Sequence, residues 1–262
     1  MNYTNIRTIF VYTNRGESMH KPTLRVMEVL ELLCSSAVPL RLSDISRTLD
    51  VPKSTLLPIL QTMTEKRYVS KNEYDQYHPG AALMGLGNAA GKFFSPGEHI
   101  RRCLDALVTR FGETCYYGVP DGGDVLYLEK VDSPQPLRML TAIGHRLPAY
   151  ATGIGKALLM DYTKEQLQKL YPAALRPLTE NTVTDTDALY RQLQEARSLG
   201  YTWEVEESTE HIRCFAVPIR TGGKITAAVS IAFPVFRYQQ ELKKDIIEAL
   251  KRTAAEIEAG MQ

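Results

Sequence analysis

The strongest constraint on the fold of this chain is the pattern of residues 40–67, LRLSDISRTLDVPKSTLLPILQTMTEKR. Ile45 and Leu49 lie one helical turn apart in its first half. In its second half an apolar stripe repeats at i, i+3, i+4 and i+7, formed by Leu56, Ile59, Leu60 and Met63. The pattern predicts two short amphipathic helices joined by a tight turn.

The solvent side of the second helix is a candidate DNA-reading surface. A helix–turn–helix with small polar and cationic residues at the start of its second helix can place them in a DNA major groove. The residues expected to face DNA are Pro52, Lys53, Ser54, Thr55, Leu57 and Gln61. The alternative is an ordinary helical hairpin that serves packing alone.

The flanking sequence extends this hairpin to a winged helix–turn–helix. An amphipathic helix is predicted over residues 24–34, and residues 68–71 and 77–78 predict two short strands around a polar turn. Three helices followed by a β-hairpin form this fold. Wings contact the sugar–phosphate backbone or the minor groove, and Lys71 is the cation available for that contact.

Length and composition indicate a globular chain of two domains. A chain of 262 residues exceeds one compact core, and a composition of 44% hydrophobic and 23% charged residues is not that of a disordered chain. No run of 18 apolar residues occurs, so we expect no membrane-spanning segment. The net charge of +1 does not by itself indicate a nucleic-acid-binding protein.

The chain has four widely separated cysteines in apolar sequence surroundings. We expect them to be small buried side chains of a protein in the reducing cytoplasm, without a disulfide framework. They are Cys34, Cys103, Cys115 and Cys214.

Four segments are predicted along the chain. Residues 1–18 are too polar for a secretory signal and are either a disordered arm or a segment that precedes a true start at Met19. Residues 19–80 form the winged domain, residues 81–96 an Ala- and Gly-rich helical linker, and residues 97–262 a second domain.

In the second domain, hairpins with few βαβ units indicate a mostly antiparallel sheet with helices packed on it. Strands are predicted at residues 113–119, 125–131, 137–143, 201–206, 212–219 and 224–233. Helices are predicted at residues 100–111, 153–161, 164–170, 185–199 and 238–257.

Stretches in both domains resemble the IclR family of bacterial transcriptional regulators, in order and over residues 19–262. They are DISRTLDVPKSTLLPILQTM in the helical hairpin, IGHRLPAYATGIGKALL at 143–159, and WEVEESTEHIRCFAVPI with ITAAVSIAFP at 203–234. The resemblance implies an α+β protein with an N-terminal winged helix–turn–helix and a C-terminal effector-binding domain of GAF/PAS-like fold. It also implies a double-stranded DNA operator, a small-molecule effector, no cofactor, and a homodimer or homotetramer.

The effector site is predicted first from residues 152–156, TGIGK, which open a helix. The two glycines allow a close backbone approach to a ligand, and free N–H groups at a helix start favour a carboxylate or phosphate. The alternative is a turn that needs glycine for a positive φ. The segment is not a P-loop, because Tyr150 and Ala157 stand where that motif needs Gly and Ser or Thr.

The resemblance to the family implies an effector pocket formed by nine residues of this chain. They are Met139, Leu147, Gly153, Ile154, Glu204, Ile212, Cys214, Ser230 and Ala232. Strand alternation agrees with this set, because it puts Ile212 and Cys214 on one face of their strand and Ser230 and Ala232 on one face of the next.

Ala232 stands where some relatives that bind small 2-oxo acids carry a second hydroxyl. Glu204 would repel an acidic ligand unless it is protonated or accepts a hydrogen bond from a hydroxyl. A hydroxylated acid, such as a sugar acid, therefore fits this set better than a bare oxo acid.

A second departure lies in the helical hairpin, where Leu57-Pro58 replaces the His or Tyr followed by Arg that is common in relatives. Proline removes a hydrogen bond to the carbonyl of Ser54 and costs about 3 kcal/mol unless the helix bends. Either the helix kinks at Pro58, or residues 52–55 carry the base contacts. The target sequence of relatives cannot be transferred.

Three other functions compete with this one. A non-DNA adaptor that uses the winged helix for protein contacts is the main alternative. An enzyme would use Cys214 with His211 as nucleophile and base, but no oxyanion site is evident. A metal site from His145, His211 and Cys214 lacks a ligand-spacing signature, and we expect neither catalysis nor a metal.

Overall fold

The computed structural model describes residues 20–94, 97–136, 139 and 141–261. They divide into two compact units, with the boundary after Phe94. The predicted arm at residues 1–18 lies outside the described residues. Within them, no helix combines the length and the apolar character needed to cross a lipid bilayer.

The N-terminal unit is a winged helix–turn–helix, as predicted. Its helices and strands are α1 (Lys21–Ser35), β1 (Leu40–Arg41), α2 (Leu42–Leu49), α3 (Lys53–Glu65), β2 (Val69–Lys71), β3 (Gln76–Pro79) and α4 (Ala82–Phe94). The three strands form an antiparallel sheet in the order β1-β3-β2. Strand β1 was not predicted, because two residues are too few for an alternating pattern.

The turn between α2 and α3 is fixed by backbone geometry and by one side chain. Asp50 adopts a left-handed conformation with φ of 56°, which ends α2. The Ser46 hydroxyl donates to the Val51 carbonyl at 2.7 Å, and the Val51 N–H donates to the Ser46 carbonyl at 3.1 Å. Helix α3 then starts at Lys53 and buries its predicted apolar stripe in the core of this unit.

The C-terminal unit is built on one antiparallel sheet of six strands with flanking helices, which confirms the predicted α+β fold. In chain order its elements are α5 (Gly97–Phe111), β4 (Thr114–Asp121), β5 (Asp124–Val131), β6 (Arg146–Pro148), α6 (Gly153–Leu158), α7 (Lys164–Leu170), α8 (Thr186–Leu199), β7 (Thr202–Val205), β8 (Ile212–Thr221), β9 (Lys224–Pro234) and α9 (Lys243–Gly260). The strand order is β6-β5-β4-β9-β8-β7.

Different helices pack on the two faces of this sheet. Helices α5 and α9 pack on one face, where Phe215 and Val217 of β8 lie in the larger hydrophobic core. Helix α6 packs on the opposite face, where Ile212 and Ala216 lie in a second cluster. This second surface is called the ligand face below. The alternation of β8 is therefore as predicted.

The strand predicted at residues 137–143 was wrong over the residues that the structure describes. Residues 141–143 are not in a strand, and residues 137, 138 and 140 lie outside the described residues. Gly144, with φ of 83°, makes a turn there, and its N–H donates to the Tyr127 carbonyl at 2.7 Å. Regular pairing with β5 starts only after this turn, at Arg146.

Three further predictions need correction. Helix α6 ends at Leu158 rather than at residue 161. Helix α9 starts at Lys243 rather than near Tyr238, because Tyr238 has extended backbone and its ring stacks against Phe215 and Phe233. Cys34 is exposed, whereas the other three cysteines are buried as predicted.

Gly155 provides a test of how α6 is anchored. A Cβ at this position would overlap the backbone of Ala149 and lie 2.6 Å from the Thr152 hydroxyl. Gly155→Ala should therefore lower the free energy of unfolding of the C-terminal unit by about 3 kcal/mol. Gly87→Ala is the control, because a Cβ there meets no atom within 4 Å. Thermal melting that is the same for both variants would contradict this packing.

Candidate functional site

The predicted DNA-reading residues lie on one helix and one wing strand. Pro52 is the N-cap of α3, and the Thr55 and Leu56 N–H groups donate to its carbonyl at 3.0 and 3.1 Å. Lys53, Ser54, Leu57 and Gln61 are exposed on α3, as predicted, while Thr55 is half-buried.

Helix α3 continues through Pro58 to Glu65. The Thr62 hydroxyl donates to the Pro58 carbonyl at 3.0 Å within the same helix. Because α3 extends past Pro58 for two further turns, the missing proline N–H does not end the helix.

Lys71 is exposed on strand β2 of the wing, but it already has a partner. Its ammonium group lies 2.7 Å from the Asp75 carboxylate and 5.6 Å from the centre of the Tyr77 ring. The hydrogen bond to Asp75 raises the pKa of Lys71. A phosphate contact by this wing would have to replace the Asp75 contact.

The nine predicted pocket residues gather on and around the ligand face. Five of them belong to one apolar cluster: Met139, Leu147, Ile154, Ile212 and Ala232. The other four adjoin it through the sheet register and through helix α6. Cys214 pairs with Ala232 on one side and with Glu204 on the other. Ser230 pairs with Ala216, and a Cβ on Gly153 would contact Cys214 at 3.1 Å.

Glu204 is a buried carboxyl group that stays protonated near neutral pH. Its side chain is 1% exposed. Burial raises the pKa of Glu204 from 4.5 to about 8. The hydrogen bond from the Glu207 N–H and the charge of Lys156 lower this pKa, whereas the Glu207 carboxylate raises it further. The Glu207 N–H donates to Glu204 Oε2 at 2.8 Å. A mostly neutral Glu204 does not repel an acidic ligand.

A buried ion pair lies behind Glu204. The Lys156 Nζ lies 2.5 Å from Glu207 Oε1, and both residues are buried. The hydroxyls of Thr179 and Thr182 donate to the Glu207 carbonyl at 3.3 and 2.6 Å. The pair therefore joins α6 to the loop after β7. The same loop carries the Glu207 N–H group, which donates to Glu204. The family motif contained Lys156, but its partner 51 residues away could not be found from the sequence.

The start of α6 is more tightly packed than predicted. Neither Gly153 nor Gly155 has a positive φ, so the alternative interpretation of these glycines was wrong. Both are needed because protein atoms lie close: Gly153 abuts Cys214, and Gly155 abuts Ala149. The Thr152 hydroxyl accepts the Gly155 N–H at 3.0 Å. The Ile154 N–H interacts with the Cys214 sulfur and opposes the rise that burial causes in the pKa of this thiol. At most the Gly153 N–H is left for a ligand.

Ser230 is the polar group in this site that most clearly lacks a partner. Its hydroxyl is buried and, within the described part of the chain, makes no hydrogen bond beyond a weak interaction with the Cys214 sulfur, which is a poor acceptor. A buried hydroxyl without a strong partner destabilises the free protein and favours a ligand that bonds to it.

Two tyrosines on the ligand face were missed by the sequence analysis. The rings of Tyr116 and Tyr127 meet edge to face at 5.1 Å, and both belong to the apolar cluster. The Tyr116 hydroxyl donates to the Met139 carbonyl at 3.4 Å, and that of Tyr127 bonds to the Thr152 side chain. The alternation of strands β4 and β5 was the signal that could have identified them.

The enzyme and metal alternatives gain no support from this geometry. His211 is exposed and pairs with Glu206 at 3.3 Å, whereas Cys214 is buried. Burial raises the pKa of the Cys214 thiol, which disfavours the nucleophilic thiolate. Within the described part of the chain, no three His, Cys, Asp or Glu side chains are placed to hold a metal ion.

The protonation state of Glu204 in the folded protein predicts how the free energy of unfolding depends on pH. The folded protein keeps the Glu204 proton up to a pKa of about 8, and the unfolded chain loses it near 4.5. Unfolding therefore releases a proton between these values, and the free energy of unfolding should fall as pH rises through this window. Glu204→Gln is neutral at every pH and should remove this part of the fall, on the order of a few kcal/mol.

Denaturation of both proteins from pH 5 to 8.5 measures this difference, and Glu210→Gln, in the exposed part of the loop that follows β7, is the control. Parallel pH profiles for wild type and Glu204→Gln would mean that Glu204 is ionised in the folded protein.

Both units of the chain match models of known protein families. The model of the IclR helix-turn-helix domain matches residues 22–73, and that of the C-terminal domain of bacterial IclR transcriptional regulators matches residues 98–259. The chain is 31% identical over 241 residues to the HTH-type transcriptional regulator KdgR of Escherichia coli K12, covering 91% of each chain.

Two crystal structures extend this similarity to the fold. The IclR protein of Thermotoga maritima has a TM-score of 0.72 at 27% identity, with 92% of this chain and 99% of that chain covered. An IclR homolog from Microbacterium hydrocarbonoxydans, in complex with 4-hydroxybenzoate, has a TM-score of 0.73 at 25% identity, with 91% and 98% covered.

These matches span the DNA-binding unit and the effector-binding unit, and the matched family consists of transcriptional regulators rather than enzymes. The chain therefore belongs to the IclR family of bacterial transcriptional regulators, with a DNA-binding helix–turn–helix and an effector-binding C-terminal domain.

Proposed function

We propose that this regulator binds its operator through the exposed side of α3, and that a small hydroxylated organic acid on the ligand face changes its operator affinity. The observation that carries the proposal is the pair of polar groups in an otherwise apolar buried surface. Glu204 is neutral and Ser230 lacks a strong partner, so both are suited to bind ligand hydroxyls.

The apolar part of the surface sets the size and character of the ligand. Met139, Leu147 and Ile212 supply aliphatic contacts, and Tyr116 and Tyr127 supply aromatic ones. A compact ligand with a hydroxyl at one end and an apolar or ring-shaped body fits these groups. The complex of a family member with 4-hydroxybenzoate has this chemistry, and a sugar acid shares its hydroxyl and its carboxylate.

The acid group has fewer possible contacts than the sequence suggested. Lys156 is already paired with Glu207, and two N–H groups at the start of α6 are engaged. The Gly153 N–H remains our proposed contact for the carboxylate. Gly153→Val is not an informative variant, because its Cβ would press on Cys214 and destabilise the unit.

Ser230→Ala is the sharper test of the effector site. Because the Ser230 hydroxyl has no strong partner in the free protein, its removal should leave the melting temperature unchanged or slightly higher. The affinity for the correct acid should fall about ten-fold, as expected for one lost hydrogen bond. Calorimetric titration with gluconate, 4-hydroxybenzoate and pyruvate against wild type identifies the acid for the comparison.

Ser198→Ala is the matched control, because Ser198 is exposed at the end of α8 and bonds only to the Glu195 carbonyl. Equal affinity of wild type and Ser230→Ala for an acid that binds would exclude Ser230 from the site. Binding of pyruvate in preference to the hydroxylated acids would contradict the proposed ligand class.

The DNA contacts are tested with Lys53→Ala/Ser54→Ala. Both side chains are exposed at the start of α3, so the double variant should fold normally. We expect operator affinity to fall at least about thirty-fold, because a phosphate or base contact and a hydrogen bond are lost together. Electrophoretic retardation of the promoter of the adjacent operon measures this loss.

Lys244→Ala/Ser198→Ala removes the same two groups from the C-terminal unit and should leave retardation unchanged. If the α3 variant binds the promoter like wild type, α3 is not the DNA-reading helix. If wild type retards no promoter DNA at all, the non-DNA adaptor becomes the better interpretation.

A further inference from the structure

The exposed side of α3 has an unusual composition for a surface helix. From residue 54 to residue 64 the sequence is STLLPILQTMT, without a single charged residue, between Lys53 and Glu65 at the ends. Surface helices normally carry charges on the side away from the core, as α1 and α2 do here. The exposed residues in this stretch are Ser54, Leu57, Pro58, Gln61 and Thr62.

This composition limits which bases the middle of α3 can read. Guanine is read in the major groove mainly by Arg or Lys, which donate to its O6 and N7 atoms. Between Lys53 and Glu65 the helix has no such cation. Adenine is read by the amide of Gln or Asn, and the 5-methyl group of thymine is contacted by apolar side chains. Gln61 and Leu57 are side chains of these two types.

The positions of the two residues suit base pairs that are about two steps apart. Leu57 and Gln61 are four residues apart and therefore share one side of the helix, about 6 Å apart along its axis. Base pairs in DNA are stacked about 3.4 Å apart. Leu57 is 41% exposed, and Pro58 beside it is exposed as well, so an aliphatic surface precedes the Gln61 amide.

We infer that the middle of α3 reads an A·T-rich core in each operator half-site, with Leu57 and Pro58 against thymine methyl groups and Gln61 bonded to adenine. The inference rests on the proposed role of α3 as the DNA-reading helix and adds the base preference. Lys53 is the one cation of α3, so a guanine contact, where present, lies at the edge of the half-site.

A single exposed leucine is common on protein surfaces and would not carry this inference alone. The whole uncharged stretch is what distinguishes α3, because an ordinary solvent-facing helix would gain solubility from charges there. A face that must lie against the floor of the major groove instead gains from apolar and amide groups that match base edges.

The test starts with the full-length protein and a pool of random DNA duplexes. Duplexes retained by the protein should share half-sites whose central base pairs are A·T. Each thymine of a retained duplex is then replaced in turn by deoxyuridine, which keeps the base pairing and lacks only the 5-methyl group. At one or two central positions the affinity of wild type should fall about three- to five-fold, the effect of one buried methyl group.

Leu57→Ala should bind the thymine and deoxyuridine duplexes equally well at the position that Leu57 contacts, and should keep the wild-type difference at a position that Pro58 contacts. Val38→Ala is the matched control, because Val38 is an exposed apolar residue of the same unit outside α3, and it should keep the wild-type ratio. For the amide, 7-deazaadenine at the central adenine should weaken wild type but not Gln61→Ala, since it lacks the N7 acceptor.

Retained duplexes with G·C base pairs at the centre of the half-sites would overturn the inference. Equal affinity of wild type for every deoxyuridine duplex would do the same. If Lys53→Ala/Ser54→Ala loses binding while the deoxyuridine duplexes behave like the parent, the inferred base contacts are wrong and the role of α3 as the DNA-reading helix stands. If that double variant binds normally, the role of α3 itself is wrong.

Discussion

The buried ion pair between Lys156 and Glu207 is the interaction on which the C-terminal site depends. It connects helix α6, which covers the ligand face, to the loop after β7, and the same loop holds Glu204 through its N–H group. Removing one partner of such a pair leaves a buried charge and typically costs 3–5 kcal/mol. The link thus also bears on Glu204, because the loop supplies the Glu207 N–H that donates to this buried carboxyl group.

The ligand face also depends on close packing where α6 meets the sheet. Gly153 and Gly155 allow α6 to lie against Cys214 and Ala149, and Thr152 caps its first turn. Such packing makes a ligand-dependent shift of α6 a discrete change rather than a gradual one, since close-packed interiors transmit small displacements. We therefore expect that a ligand which shifts α6 also shifts the loop that the Lys156–Glu207 pair joins to it.

The sequence predicted most of the fold because its apolar periods are strong. The stripe of α3 and the alternation of β8 both appear in the structure as expected. Local patterns failed where a single backbone turn decides the outcome, as at Gly144, which delays strand β6. They also could not show that Lys156 meets Glu207 or that burial shifts the pKa of Glu204, because both depend on contacts between distant segments.

We propose that the binding of a ligand on the sheet of one unit and the binding of DNA on α3 of the other are coupled. Coupling between two binding sites is reciprocal, so the factor by which the acid changes operator affinity must equal the factor by which operator DNA changes acid affinity. The direct measurement is the affinity of the full-length protein for the acid, with and without a saturating operator duplex. We predict that the two factors are equal and differ from one; an acid affinity unchanged by operator DNA would contradict the account.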